Sequence, residues 1–291
     1  MRLGAVFPHT EIGTDPGAIR SYAQQAEEIG CSEFVAYDHV VGAGLATRPD
    51  FAGPFTVHQA FHEVMVLFGF LAAVTERALL TTGVLVLPQR QTALVARQAA
   101  EVDVLSGGRV RLGVGVGWNH VEFEALGAPF ALRGRQIEEQ IEVLRALWEN
   151  ETVDFSGTYH RIPDAGLNPL PVQRPIPILI GVSKLELFER VARVADGWMP
   201  FSTDAGEVAA QLVELRRLRA EGPRSDQPLP VHARVILREH SRDTWVDVIR
   251  AWATSGVDSL SVGTTGLGLE SPDDHVRVLS EIYRIAADVD G

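Results

Sequence analysis

Apolar and polar positions alternate between two periods along the 291-residue chain. Short β-branched runs, nearly continuous in apolar side chains, recur between longer stretches in which apolar residues return every third or fourth place. The first pattern predicts buried parallel strands and the second predicts amphipathic helices. Strands are predicted at 2–7, 33–38, 78–87, 109–116, 175–180, 195–200, 231–237 and 257–263. Helices are predicted at 15–30, 61–75, 91–105, 134–148, 184–194, 204–220, 242–254 and 272–287. The first helix has Asp15 to cap its amides, Pro16 in its first turn and Gly30 at its end. The stretch VDFSGTYHRI at 153–162 predicts a β-hairpin turned at Ser156 and Gly157. About eight strand–helix units, with no linker and no shift in composition, predict the α/β class and one (β/α)8 TIM barrel, with residues 1–291 as a single domain.

A barrel of this kind carries its site at the carboxyl ends of the strands. That rule puts Asp38 and His39, Pro88, Gly117 to Asn119, Gly181 to Ser183, and Gly263 to Gly266 on one rim. The polar, Gly/Pro-rich connection after the second strand runs to about Gln59, longer than most βα loops, and such loops are usually functional. One strand is unusual. In RVRLGVGVGWNH (109–120), Gly113, Gly115 and Gly117 stand at alternate places and so bare one face. Either the bare row admits something flat against the backbone, or it relieves crowding in a tight barrel wall. A dinucleotide fingerprint is excluded, because the spacing is G-x-G-x-G and no acidic strand end follows about 20 residues on.

Composition narrows the partners. A net charge of −12 and the lack of a basic patch argue against nucleic acid and acidic membranes, which leaves a small-molecule substrate. The longest apolar run, VMVLFGFLAAV at 64–74, is too short to span a bilayer and predicts a buried helix. The single cysteine, Cys31, permits no internal disulfide, and the first residues lack a signal-peptide pattern, so a cytoplasmic location is expected.

Among chemistry-bearing residues, His39 at a strand end can donate, accept or move a proton near neutral pH, although a lone histidine also serves as a cap. Ser183 precedes a predicted helix, where exposed amides suit a phosphate and a serine also suits a plain N-cap. No metal-ligand spacing, nucleophile elbow or P-loop occurs, so no metal site is expected and nucleophilic hydrolysis and phosphoryl transfer lose their usual supports.

The segment 81–127, with YDHV (37–40) upstream and GLNPLPVQRPIPILIG (166–181) and ARVADGWMP (192–200) downstream, resembles the luciferase-like monooxygenase superfamily, and within it the actinobacterial F420-dependent oxidoreductases. The resemblance implies an (α/β)8 barrel that holds a flavin or the deazaflavin coenzyme F420 at its mouth, and a homodimer. It implies that Gly113, Gly115 and Gly117 let backbone approach the ring system, and that a non-proline cis peptide or bulge within Val84, Leu85, Val86 and Leu87 props it. By the same resemblance Gly181, Val182 and Ser183 hold the phosphate, and Asp38 and Trp118 join the cofactor site. His39 then lies beside the reactive face, with Glu63 or Asn119 as helpers, and Phe7 and Trp118 form apolar walls. Two departures matter. The glutamate that donates a proton in the deazaflavin sugar-phosphate dehydrogenases is replaced by Trp118, and the arginine that holds the FMN phosphate in bacterial luciferase is replaced by Val116. The expected activity is therefore hydride transfer between F420 and an organic substrate. The alternatives are an FMN-dependent monooxygenase using reduced flavin and oxygen, or a flavin or deazaflavin binder without turnover.

Overall fold

The computed structural model describes residues 1–51 and 53–290. The chain opens with β1 (Arg2–Val6), α1 (Pro16–Glu28), β2 (Glu33–Ala36), α2 (Val64–Val74), β3 (Leu79–Thr82) and β4 (Leu85–Val86). Then come α3 (Thr92–Ser106), β5 (Val110–Gly115), α4 (His120–Ala125), α5 (Arg133–Glu149), and a hairpin of β6 (Val153–Ser156) and β7 (Arg161–Ala165). The last part holds β8 (Ile178–Val182), α6 (Phe188–Val194), β9 (Gly197–Pro200), α7 (Ala205–Glu221), β10 (His232–Ile236), α8 (Trp245–Thr254), β11 (Ser259–Gly263) and α9 (Pro272–Asp290).

Eight parallel strands lie in the order β10-β11-β1-β2-β3-β5-β8-β9. The ring is nearly closed by a parallel bridge between Trp198 of β9 and Val231, where the Trp198 amide donates to Pro230 O at 2.9 Å. This is the predicted TIM barrel. Its strands are apolar on both faces because one face lines the barrel interior and the other meets the helices. Leu80, Leu112, Ile178 and Leu260 are all buried. Asp15 caps α1 as expected, accepting from the amides of Gly17 and Ala18. Among the described residues no helix is long and apolar enough to cross a membrane.

Four expectations shift. The strand predicted over 78–87 is two pieces, β3 and β4, separated by a cis Gly83–Val84 peptide. The hairpin turns over Gly157 to His160, where Gly157 N–H donates to His160 O, and the Glu139 carboxylate accepts from the amides of Thr158, Tyr159 and His160 at 2.7 Å each. The segment 118–133, which lies outside every predicted helix, contains α4. The helix expected from 184 begins as a single 3₁₀ turn, Leu185–Leu187, and α6 proper starts at Phe188 with Leu187 in the cap position. Ser183 therefore caps nothing, and the N-cap expectation for it is wrong.

The amino-terminal end of the barrel interior is polar and closed on itself. Glu33, His232 and Ser259 stand at the starts of β2, β10 and β11, all buried. Glu33 Oε1 lies 3.2 Å from His232 Nδ1 and accepts from Thr81 Oγ1, while Ser259 Oγ lies 2.9 Å from His232 Nδ1. Burial opposes the charge on Glu33, but His232, Thr81 and Arg111 outweigh it and hold the carboxyl below its usual range. A carboxylate whose pKa is depressed on folding adds stability above the ordinary value of about 4.3, and that stability is lost as pH falls through the folded value. Glu33→Gln should cost about 3–5 kcal/mol at pH 7, since it leaves its partners buried and uncompensated. The gap in melting temperature from the parent should narrow as pH is lowered below about 4, and a gap independent of pH would show that Glu33 is not ionised in the fold.

Candidate functional site

Two linked carboxylates organise the carboxyl-end mouth. Asp38, just beyond β2, is buried, and its Oδ2 accepts from the Val86 amide at 2.9 Å while Oδ1 accepts from Arg90 Nη2 at 2.6 Å. Arg90 also reaches Glu63 at 3.1 Å, and Glu63 caps α2 by accepting from the Val66 amide. Glu63 thus belongs to the Arg90 cluster and is no hydrogen-bonding helper of His39. Burial alone would lower the Arg90 pKa, yet Asp38 and Glu63 raise it.

The partner of His39 is Glu122, on the unpredicted α4. His39 Nδ1 stands 2.9 Å from Glu122 Oε2, and the amides of Val40 and Val41 donate to Glu122 Oε1. Asn119 caps α4 by accepting from the Val121 amide and donates to Glu122 at 3.1 Å. Burial opposes the charge on Glu122, but His39 and the two amides keep its pKa below the usual range. The sequence offered one signal for it: Asn119 followed three residues on by an acid, the spacing of a helix start. Phe55 covers the imidazole, ring centroids 3.6 Å apart, and Phe61 meets it edge-on at 5.1 Å.

The glycine row is filled from inside the protein. A Cβ on Gly113 would collide with Thr82 O and Met199 Sδ, one on Gly115 would lie 2.6 Å from Val84 Cγ2, and one on Gly181 would lie 2.7 Å from Val84 Cγ1. Gly117, at φ 72°, faces Val86 and Phe123. So relief of crowding accounts for Gly113, while Gly115 and Gly181 together make the recess that seats Val84, the residue following the cis peptide. Val182 is buried and Ser183 is exposed; half of the Trp118 side chain lies open, with Phe51 and Gly53 of the loop against it.

Beside this constellation a cavity of about 520 Å³ opens among the ends of β1, β2, β10 and β11. Phe7, Phe55 and Phe61 form its aromatic side, and His9, Tyr37 and Arg238 its polar side. Phe7 was expected as a wall, but none of the expected catalytic or cofactor-contacting residues lines this space. The cavity and the motif residues share the carboxyl-end face.

Residues 1–284 match the family model for luciferase-like monooxygenases. The chain belongs to the luciferase-like monooxygenase family. Its relatives include an uncharacterized protein of Mycobacterium tuberculosis, 36% identical over 263 residues that cover 88% of each chain. The FMNH(2)-dependent dimethylsulfone monooxygenase of Pseudomonas putida is 30% identical over 219 residues, 73% of this chain and 60% of that protein. An F420-dependent secondary alcohol dehydrogenase, solved with an F420-acetone adduct, superimposes with a TM-score of 0.77 over 98% of both chains at 15% identity. Enzymes of this family are oxidoreductases, and both flavin and deazaflavin cofactors occur among the relatives and neighbours.

In this luciferase-like protein, Gly115→Val should overpack the Val84 recess at a cost of about 1–3 kcal/mol. Pairing it with Val84→Ala should restore part of the lost melting temperature, because the two side chains contest one space. Strictly additive losses in the double variant would show that Gly115 is not there to seat Val84.

Proposed function

We propose that the protein is an F420-dependent oxidoreductase that exchanges a hydride with a small organic substrate. The observation that carries the choice of cofactor is Val116, an apolar residue between Gly115 and Gly117 where the resemblance expects an arginine for the FMN phosphate. Without that cation, tight retention of a dianionic phosphomonoester loses its main support, whereas the phosphodiester of F420 demands less charge.

The residues present fit such a group. The mouth offers a flat recess wall at Val84 and Val86, backed by glycines, and an adjoining cavity with an aromatic side. Val84, Leu85 and Val86 would back the ring; Gly115, Gly117, Trp118 and Asp38 would shape its pocket, and Gly181, Val182 and Ser183 would meet the phosphate. When bound, F420 supplies the hydride-accepting or hydride-donating carbon. His39, oriented through Nδ1 by Glu122, would balance charge or move a proton through Nε2, while Asn119 fixes the Glu122 carboxylate. The protein acts as a homodimer in this proposal.

A second reading, an FMN-dependent monooxygenase, is favoured by the relative from Pseudomonas putida, whose name records FMNH(2) dependence. Titration separates the two. F420 should bind at micromolar concentration or below and FMN more weakly; comparable or tighter FMN binding, with oxygen consumption coupled to substrate turnover, reverses the order. Independently, His39→Ala should lower turnover by about 10²–10⁴ with cofactor affinity changed much less, and His39→Asn should recover part of the loss. Joint loss of cofactor binding and turnover would make His39 a positioning residue only.

A further inference from the structure

The cavity among β1, β2, β10 and β11 contains a polar set that nothing so far explains. His9 is buried, and its ring stacks on Phe61 with centroids 4.5 Å apart and planes 14° from parallel. Its Nδ1 accepts from the His62 amide at 3.3 Å, and its Nε2 has no partner. Burial first, and then the neighbouring His62 and His39, lower the His9 pKa to about 3, so the ring is neutral across the physiological range. A neutral imidazole whose Nδ1 accepts must carry its proton on Nε2. His9 is therefore a buried donor without an acceptor, a costly arrangement for a native interior.

At the β10 side of the same cavity Arg238 lies at the lip, exposed, with its stem over Gly266, whose φ of 87° and missing side chain leave that path open. Among the described residues no carboxylate pairs with it. Glu239 accepts from Thr203; Glu11, the acid in the lining, accepts from the Gly266 amide through Oε1, and its Oε2, 3.4 Å from His275 Nε2, has no hydrogen-bond partner. In a chain of net charge −12, a guanidinium without an acidic partner at the edge of a cavity favours an anion there.

We propose that this cavity is the substrate site and that the substrate is a small organic acid. Arg238 holds its carboxylate, the neutral His9 donates Nε2–H to a carbonyl or hydroxyl oxygen of the same molecule, and Phe7, Phe55 and Phe61 cover its apolar part. This assignment rests on the reading of the mouth as an oxidoreductase site. It extends that reading from the cofactor half to the substrate half and makes His9 a residue that determines specificity.

Three probes separate the elements: benzoylformate carries a carboxylate and a ketone, phenylacetate the carboxylate alone, and benzoylformamide the ketone without the charge. Binding to the full chain is measured by calorimetry and by saturation-transfer NMR, with and without F420. Benzoylformate should bind about tenfold or more tighter than either of the others, since a charge-assisted pair and a buried hydrogen bond each carry about that factor. Arg238→Gln should erase the preference for benzoylformate over its amide. His9→Phe, which keeps the stack on Phe61, should weaken benzoylformate about tenfold and phenylacetate less than twofold, and His9→Gln, which returns an N–H, should recover part. The proposal is overturned if the parent protein binds none of the three or does not prefer the acid. It is also overturned if Arg238→Gln keeps the preference, or if that variant loses F420 affinity while acid binding is untouched. F420 failing to bind while the acid pattern holds would sink the cofactor reading alone; F420 binding with no acid preference would sink this one alone.

Discussion

Asp38 is buried at the end of β2, where both carboxylate oxygens need donors, and it takes them from the Val86 amide and the Arg90 guanidinium. That one requirement ties three separate pieces of the mouth together. It fixes β4 against the end of β2, it pulls Arg90 inward so that the same guanidinium reaches Glu63 at the start of α2, and it sets the direction in which the next residue, His39, leaves the strand. Removing one partner of such a buried carboxylate–guanidinium pair would strand the other, an imbalance that generally costs about 3–5 kcal/mol. The mouth is accordingly a preorganised frame, and His39 and Glu122 are held on it by backbone amides as well as by each other.

The glycines of β5 obey a related constraint, that a barrel interior has room for only one side chain per place. Val84 follows the cis Gly83–Val84 peptide, and its two methyl groups point into the positions that side chains at Gly115 and Gly181 would occupy. Gly115 is thus half of a joint whose other half is an apolar residue in the break between β3 and β4. Anything bound at this edge meets Val84 and Val86 before it meets the glycine backbone, which is why the glycines were informative about the site without being its surface.

How far the sequence carries depends on the distance over which each cause acts. Barrel class and the Asp15 cap follow from local periodicity and capping chemistry and agree with the structure. The break in the 78–87 strand was signalled by resemblance and not by periodicity, since LLTTGVLVL is a run of apolar and β-branched residues interrupted only by Gly83. Glu122 was missed because its role comes from residues about 80 positions away, which no helical or strand period records. The resemblance that set Glu63 beside His39 likewise carried no sign of its ion pair with Arg90, 27 residues on. His9 follows β1 and Arg238 follows β10, strands that flank β11 but lie far apart along the chain, so only the fold brings them to one cavity.

The two ends of the barrel interior treat buried polarity in opposite ways. At the amino-terminal end Glu33, His232, Ser259 and Thr81 satisfy one another, and a closed network of this kind adds rigidity without asking for a ligand. At the carboxyl end the His9 proton points at no protein acceptor and Arg238 faces no carboxylate. A desolvated donor left open destabilises the free protein, and that deficit is recovered only when an acceptor arrives, so a buried, unpaired His9 weakens the empty mouth and sharpens its choice of guest. In the proposed site a molecule without a matching oxygen would leave that donor stranded, and discrimination by this route is steeper than discrimination by apolar fit, where a missing methylene forfeits only about 1–3 kcal/mol. Arg238, open to water, would add attraction for an anion without that penalty.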